Sequence, residues 1–382
     1  MTQRRGLSLW GAIWILALAM GAILFARDLA MVRWGGDLSI MGAALWGRDF
    51  VNVYTSGALT LQGRLDILYD VQAYRAFQDA LFAPELAYHN YSYPPVTLVY
   101  TWLFALIPYP VALVAWLGGT GYAFVRAARP YLGEAGVPAW LALAAPASLV
   151  NLWAGHYGFL IGALWLGAFH ILPRRPWLAG ILIGCMIVKP HLAVLAPLVL
   201  LHRREWRAIL AAAATSVGLV LLSIILFGPE LWTTYLGRTA MLQAAMVDDL
   251  GTFFIQMMPT LMPSLALIGV PTFAAGVIQG LLAAAVAGLL WWRMPDDSKA
   301  AGLAAATATF LVLPYAFSYD MTVAGLAGLL LFRTRGDALS AVAFLLPLLL
   351  LILNAIPAPL APLVIGFQLW ALLFPKTGLR RA

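Results

Sequence analysis

The chain has 382 residues, of which 63% are hydrophobic and only 10% charged, with a formal net charge of +7. A soluble globular domain carries about 25% charged residues, so a mean hydropathy of +0.88 excludes that class. The basic excess, with a pI near 9.6, reads as cytoplasmic anchoring of membrane loops and not as a nucleic-acid footprint.

The first apolar run, LSLWGAIWILALAMGAILFA (7–26), can cross a hydrocarbon core of about 30 Å at about 1.5 Å per residue. Arg4 and Arg5 precede it as a signal-peptide n-region would. The run is longer than the usual h-region, however, and no clean A-x-A site follows, so a retained first span is expected. Further runs cover approximately 94–126, 137–152, 156–172, 177–188, 190–202, 208–227, 264–292, 300–316, 321–332, 338–354 and 358–374. The 94–126 run is too long for one straight helix and is interrupted at Pro108 and Pro110, where proline removes a backbone bond and bends the chain. Backbone groups in lipid must pair internally, and no period-2 alternation points to a barrel. The expected fold is an all-α polytopic integral membrane protein of about 10–13 helical pieces, one domain over 1–382 with no visible repeat or linker. The single Cys185 sits inside an apolar run, which favours packing and rules out an internal disulfide.

Basic residues cluster at the ends of these runs: Arg4/Arg5, Arg126/Arg129, Arg174/Arg175, Arg203/Arg204/Arg207, Arg293/Lys299, Arg333/Arg335 and Lys376/Arg380/Arg381. Placing all of them in the cytoplasm satisfies the positive-inside rule and puts both termini there. The outward face then collects the 27–93 segment, NLWAGHYG (151–158), VKPHL (188–192), the 228–263 loop, FSYD (317–320) and Asn354. Most acidic, histidine and aromatic turn residues fall on that face.

The 27–93 segment is the longest stretch without a span. Its pieces 49–63 and 70–82 read as short amphipathic helices, the second with Val71, Tyr74, Phe77, Gln78 and Leu81 on one face and Arg75 and Asp79 at i, i+4. Such helices suit an interface that meets lipid-linked substrates, and equally a structural lid. Asp49 sits at the bilayer edge, where a carboxylate is costly unless hydrated, paired or employed. It reads as a general base toward an acceptor hydroxyl, or as an ion pair with Arg48, or as a helix N-cap. Asp70 reads more readily as an N-cap. Tyr91 and Tyr93 precede Pro94 and Pro95, prolines well tolerated in a first turn, and the tyrosines lie at the outer interface.

Lys189-Pro190-His191 places a lysine and a histidine at a proline break inside an apolar stretch, where irregular backbone lines a wet cavity. A cation there can bind phosphate, or it can snorkel and steady a turn. His156 is a donor to an anion or a satisfied core histidine, and Asp320 is expected to cap the helix over 321–332. No Gly-rich phosphate loop, H-E-x-x-H or cysteine cluster is present, so a cytosolic nucleotide-sugar or ATP site is unsupported.

The order Arg48-Asp49-Phe50, Tyr54, Gly63, Leu68-Tyr69-Asp70, Tyr93-Pro94-Pro95, then Lys189-Pro190 ahead of His202-Arg203-Arg204 resembles glycosyltransferase family 87. That family includes polyprenyl-phosphate-mannose-dependent mannosyltransferases. The resemblance implies the C-type glycosyltransferase fold, with a long first extracytoplasmic loop carrying two interfacial helices and an essential aspartate near the end of the first span, a position that Asp49 matches. It implies inverting transfer of a sugar, mannose first, from a polyprenyl-phosphate donor to a lipid or glycan hydroxyl at the periplasmic or exterior face of the plasma membrane. Asp49 would act as base, with Lys189, His191, Arg48 and His156 on the donor phosphate. Tyr54, Tyr69, Asp70, Tyr93, Pro94 and Pro95 would frame the loop, with Asp320 a further candidate. No cofactor or metal is required on this reading, although a divalent ion at Asp49 stays open. Gly155-His156 and Lys189-Pro190-His191 stand where relatives often have Gly-Gln and Lys-Pro-Gln, which leaves the sugar undetermined. A transporter or flippase of a lipid-linked substrate is the alternative and would call for internal repeats and mid-membrane charges. An envelope scaffold would leave the ordered motifs unexplained.

Overall fold

The computed structural model describes residues 8–34, 38–40, 44–82, 89–238, 255–354, 356 and 358–375. The basic clusters Arg4/Arg5 and Lys376/Arg380/Arg381, both termini and much of the 228–263 loop lie outside the described residues.

The protein is an all-α polytopic membrane protein. Among the described residues, four helices are long and apolar enough to cross a bilayer: Leu9–Met31, Tyr109–Glu134, Trp206–Phe227 and Thr272–Trp292. Their exposure is inverted relative to a soluble protein, with Ile225 80% and Phe273 84% exposed. Apolar surface of that extent is stable only against lipid. Shorter apolar helices fill the interior. Ser298–Val312 is buried around its whole girth from Ala301 to Leu311, and Thr322–Arg335 is buried nearly as completely. Tyr109–Glu134 packs on Gly158–Ile171, and Pro176–Cys185 packs on Trp206–Phe227. In the last pair Gly180 and Gly184 bring the backbones together, since a Cβ at Gly180 would lie 2.2 Å from the Ala208 carbonyl oxygen.

Proline sets most of the breaks. The 94–126 run divides as expected: the chain is extended at Ile107 and Pro108, and the long helix begins at Tyr109 with Pro110 in its first turn. That helix continues past Arg126 and Arg129 to Glu134, so these two arginines lie on it and not in a loop. The 264–292 run is not one helix. Leu261–Leu267 ends in a turn at Gly269 (φ +79°), and Pro271 precedes Thr272–Trp292. A Gly-Val-Pro break carries no change in hydropathy, which is why the run looked continuous.

The two helices of the 27–93 segment form at Phe50–Leu61 and Val71–Leu81. The second buries Tyr74 and Gln78 on the expected face. The first is not one-faced: nine of its residues, from Phe50 to Leu59, are buried. It is therefore packed within the protein and tied to the Val71–Leu81 helix. Asn52 ties the two together, accepting from Tyr74 Oη at 3.0 Å and from Gln78 Nε2 at 3.4 Å.

Candidate active site

After the first span the chain makes a two-residue antiparallel ladder, Ser39–Ile40 with Ala44–Leu45, and turns at Gly47–Asp49 into the Phe50–Leu61 helix. Gly47 has φ +83° and Arg48 φ +32°. A left-handed backbone at a non-glycine residue costs about 1–3 kcal/mol and persists only where its surroundings over-determine it. Here they do. Arg48 Nη2 donates to both carboxylate oxygens of Asp28 at 3.2 Å, and its guanidinium lies 4.0 Å from the Trp153 ring centre. Trp153 Nε1 donates to the same Asp28 at 2.8 Å. The Asp49 amide donates to the Ala154 carbonyl at 2.9 Å. Gly155, at φ +66°, approaches so closely that a Cβ would lie 2.2 Å from the Gly47 carbonyl oxygen. This contact pins the turn to the loop that carries His156.

Both structural roles considered for Asp49 are therefore unfilled. Arg48 pairs with Asp28, and Asp49, although at the N-cap position, makes no side-chain capping bond. Its half-buried carboxylate takes no ion pair among the described residues. Arg48 is engaged by Asp28 through Nη2 and by the Trp153 ring, while its Nε is buried without a hydrogen-bond partner among the described residues.

The second half of the site is a buried polar chain. Pro190 restricts the preceding residue to extended backbone, and Lys189 (φ −147°, ψ 70°) separates two short 3₁₀ turns. Its side chain turns inward: Nζ lies 2.6 Å from Asp320 Oδ1 and 3.3 Å from His156 Nδ1. His156 Nε2 lies 2.8 Å from Tyr93 Oη. The direct His156–Asp320 approach is 3.6 Å, too long for a hydrogen bond. An ammonium can only donate, so His156 Nδ1 accepts from Lys189. Nε2 then carries the imidazole hydrogen and donates to Tyr93, leaving the Tyr93 O–H hydrogen and one Lys189 N–H for another partner. Tyr319 stacks on His156 with ring centres 4.1 Å apart. Lys189 is therefore neither a snorkelling residue nor an unneutralised charge, and Asp320 does not cap the Thr322–Arg335 helix, whose N-cap is Met321. Asp320 Oδ2 is buried without a hydrogen-bond partner among the described residues.

Other sequence candidates support these two halves. Asp70 caps Val71–Leu81, accepting from the amides of Gln72 and Ala73 at 3.1 and 3.0 Å, and meets Arg238 at 3.6 Å. These bonds hold its carboxyl below the usual range, the Ala73 amide most of all. Tyr69 Oη donates to the Tyr93 carbonyl at 2.7 Å, fixing the segment that presents Tyr93. Pro94 and Pro95 open the next short turn. Tyr54 Oη donates to the Ile107 carbonyl at 3.0 Å, behind the site. His191 is half-buried within electrostatic reach of His156. Trp153 and Tyr319 lie in the NLWAGHYG and FSYD turns expected on the outward face, but neither stands out there as an individual site candidate. Asp28, an acidic residue at the end of the first apolar run, is a further member of the site, and a carboxylate at that place calls for a partner.

Asp49 joins the halves electrostatically. Burial raises its carboxyl above the ordinary value, opposed by His89, Lys189 and Arg48 and reinforced by Asp320. Among the described residues, no three His, Cys, Asp or Glu side chains converge as a metal site would.

Residues 91–318, more than half of the chain, match glycosyltransferase family 87. The chain belongs to this family. The glycosyltransferase match takes in Tyr93, His156, Lys189 and His191, begins after Asp49 and ends just before Asp320. No curated protein and no solved structure matches the chain. A family 87 chain with this helical architecture is a membrane glycosyltransferase.

Proposed function

We propose that this glycosyltransferase moves a sugar from a polyprenyl-phosphate donor to an acceptor hydroxyl, with inversion and with Asp49 as the general base. The observation that carries the reading is that Asp49 alone is uncommitted. Its neighbours Asp28 and Asp320 are held by Arg48 and Lys189, while Asp49 takes no cap or ion pair among the described residues; burial raises the carboxyls of both Asp49 and Asp320. In the reaction the acceptor oxygen forms its bond to the anomeric carbon as its proton passes to Asp49. The bond from that carbon to the phosphate oxygen breaks, and its electron pair leaves with the polyprenyl phosphate. The remaining Lys189 N–H and the Tyr93 O–H are the donors available to the departing phosphate, and such preorganised donors lower the barrier where charge develops. Energy comes from the donor's activated ester, so no nucleotide is consumed. Mannose is the first sugar to test, on the family resemblance, with a lipid or glycan as acceptor. The basic clusters support a plasma-membrane protein with its site on the extracytoplasmic side.

Asp49→Asn tests the base. Asparagine keeps shape and capping ability but cannot take the proton, so turnover with labelled polyprenyl-phosphate mannose should fall about 10²–10⁴-fold while donor binding persists. A folded Asp49→Asn protein with wild-type turnover removes the base assignment.

A further inference from the structure

Asp28 is absent from the chemistry just described, yet it is the most fully bonded carboxylate near the site. It sits in the last two turns of the first span, 4% exposed, with both oxygens engaged. A buried charge in a span is expensive unless paired, and it marks a function by default. Two features distinguish this one from ordinary helix glue. Its partner Arg48 is the residue immediately before Asp49 and is held at φ +32°. Its second partner, Trp153, is the residue immediately before Ala154, whose carbonyl receives the Asp49 amide. Both ends of the local frame around Asp49 therefore converge on one carboxylate.

We infer that Asp28 is a positioning residue for Asp49, acting as a latch that closes Arg48 and Trp153 onto the first span and fixes where the Asp49 carboxylate points. The inference rests on the reading of Asp49 as the base. Without the Asp28 carboxylate, Arg48 loses its ion pair among the described residues, and its left-handed backbone loses one of the contacts that hold it. Productive proton transfer needs the base within hydrogen-bond reach of its proton, and a displacement of about 1 Å can cost about 10²-fold in rate. The latch also sets the charge that Asp49 feels. The groups acting on that carboxylate are Arg48 on its own turn, His89 from the end of the 27–93 segment, Lys189 from the proline break and Asp320 from the 317–320 turn. Tyr93, Tyr109 and Tyr319 surround it as neutral hydroxyls. With Asp28 neutral, the Arg48 charge acts on Asp49 undiminished and favours the ionised base.

The experiment is Asp28→Asn in the full-length protein, with kcat, KM and the pH dependence of kcat/KM measured beside wild type and Asp49→Asn. The expected result is a kcat loss of about 10–100-fold with KM changed less than about threefold, and the acid limb of kcat/KM shifted to lower pH. In an Asp49→Asn background the same substitution should remove little more activity, because two residues acting through one step are not additive. Trp153→Phe keeps the ring under Arg48 and removes the indole donor. It should reproduce the pattern more weakly and covers the case in which Asp28→Asn fails to fold. Equal fold-losses in the wild-type and Asp49→Asn backgrounds, or an unmoved acid limb in a folded variant, would overturn the latch. Full activity of Asp49→Asn alone would instead overturn the base reading, so the two failures are separable.

Discussion

Replacing Lys189 by methionine removes the cation from the buried chain and leaves Asp320 without its charged partner, its Oδ2 already lacking a hydrogen bond among the described residues. Unit charges 2.6 Å apart attract by about 6 kcal/mol at an effective dielectric near 20. Desolvation of both groups cancels much of that, so the pair adds little to stability against an apolar pair of the same volume. Breaking it from one side is different, because an uncompensated buried charge remains, at a cost of about 3–5 kcal/mol. Lys189→Met and Asp320→Leu should therefore each lower the unfolding temperature of the detergent-solubilised protein markedly, while the double variant recovers most of the loss. Activity should not recover with it. Losing the Lys189 donor costs about 10²–10³ in kcat, the scale for removing one electrostatic stabiliser, and the double variant should show the full deficit. Thermal unfolding by tryptophan fluorescence, with turnover on the same preparations, reads both quantities. Singles as stable as wild type would refute the buried pair, and a double variant at wild-type turnover would remove Lys189 from the chemistry.

Because burial raises the Asp49 carboxyl above 3.8, its base form is lost as pH falls through a value above the ordinary aspartate range. The kcat/KM profile should carry an acid limb there, and residual activity of Asp49→Asn should lack it. Gly155→Ala places a Cβ against the Gly47 carbonyl at a left-handed position and should destabilise the protein by at least about 2 kcal/mol, measured as a lower unfolding temperature. The side of the membrane can be read in a Cys185→Ser background, where an impermeant thiol reagent on intact cells should label Gln62→Cys and not Asp296→Cys, both exposed positions. The reverse pattern would invert the topology.

The spans and most of their breaks were legible because hydrophobic runs and prolines act through one-dimensional rules. Tyr109 begins a helix where Pro108 and Pro110 said it should, and Lys189 sits at a kink because Pro190 forbids helical backbone before it. The Gly269–Pro271 turn was invisible, since glycine, valine and proline leave a hydropathy run unbroken. The polar side chains that meet were recognisable as candidates, but their pairing was not. Arg48 stands beside Asp49 in sequence yet bonds Asp28, 20 residues earlier, and Lys189 finds Asp320 across 131 residues. Charge pairing in a bundle follows helix packing, and no local pattern encodes that. The buried Phe50–Leu61 helix was misjudged for a related reason. Polar residues such as Asn52, Thr55 and Ser56 look solvent-facing until Tyr74 and Gln78 are seen bonding Asn52 from above.

Three carboxylates lie close to this site, and their surroundings divide the work among them. Asp28 receives an arginine and an indole, so protonating it would break the latch that holds the Gly47–Asp49 turn. Asp320 holds the Lys189 ammonium, so protonating it would release the cation on which the His156–Tyr93 chain is built. Asp28 and Asp320 are each engaged by a cationic partner, although burial outweighs Lys189 and leaves the Asp320 carboxyl above its ordinary value. Asp49 makes no ion pair or capping bond among the described residues, and burial outweighs the charges of His89, Lys189 and Arg48, which makes its anion less stable than in water and hence a better base. Transfer to a hydroxyl acceptor, as proposed, needs one carboxylate able to take a proton and is helped by others that hold cations in place. On the proposed mechanism, the distribution of arginine, lysine and tryptophan partners fits Asp49 to the first role and Asp28 and Asp320 to the rigid ones.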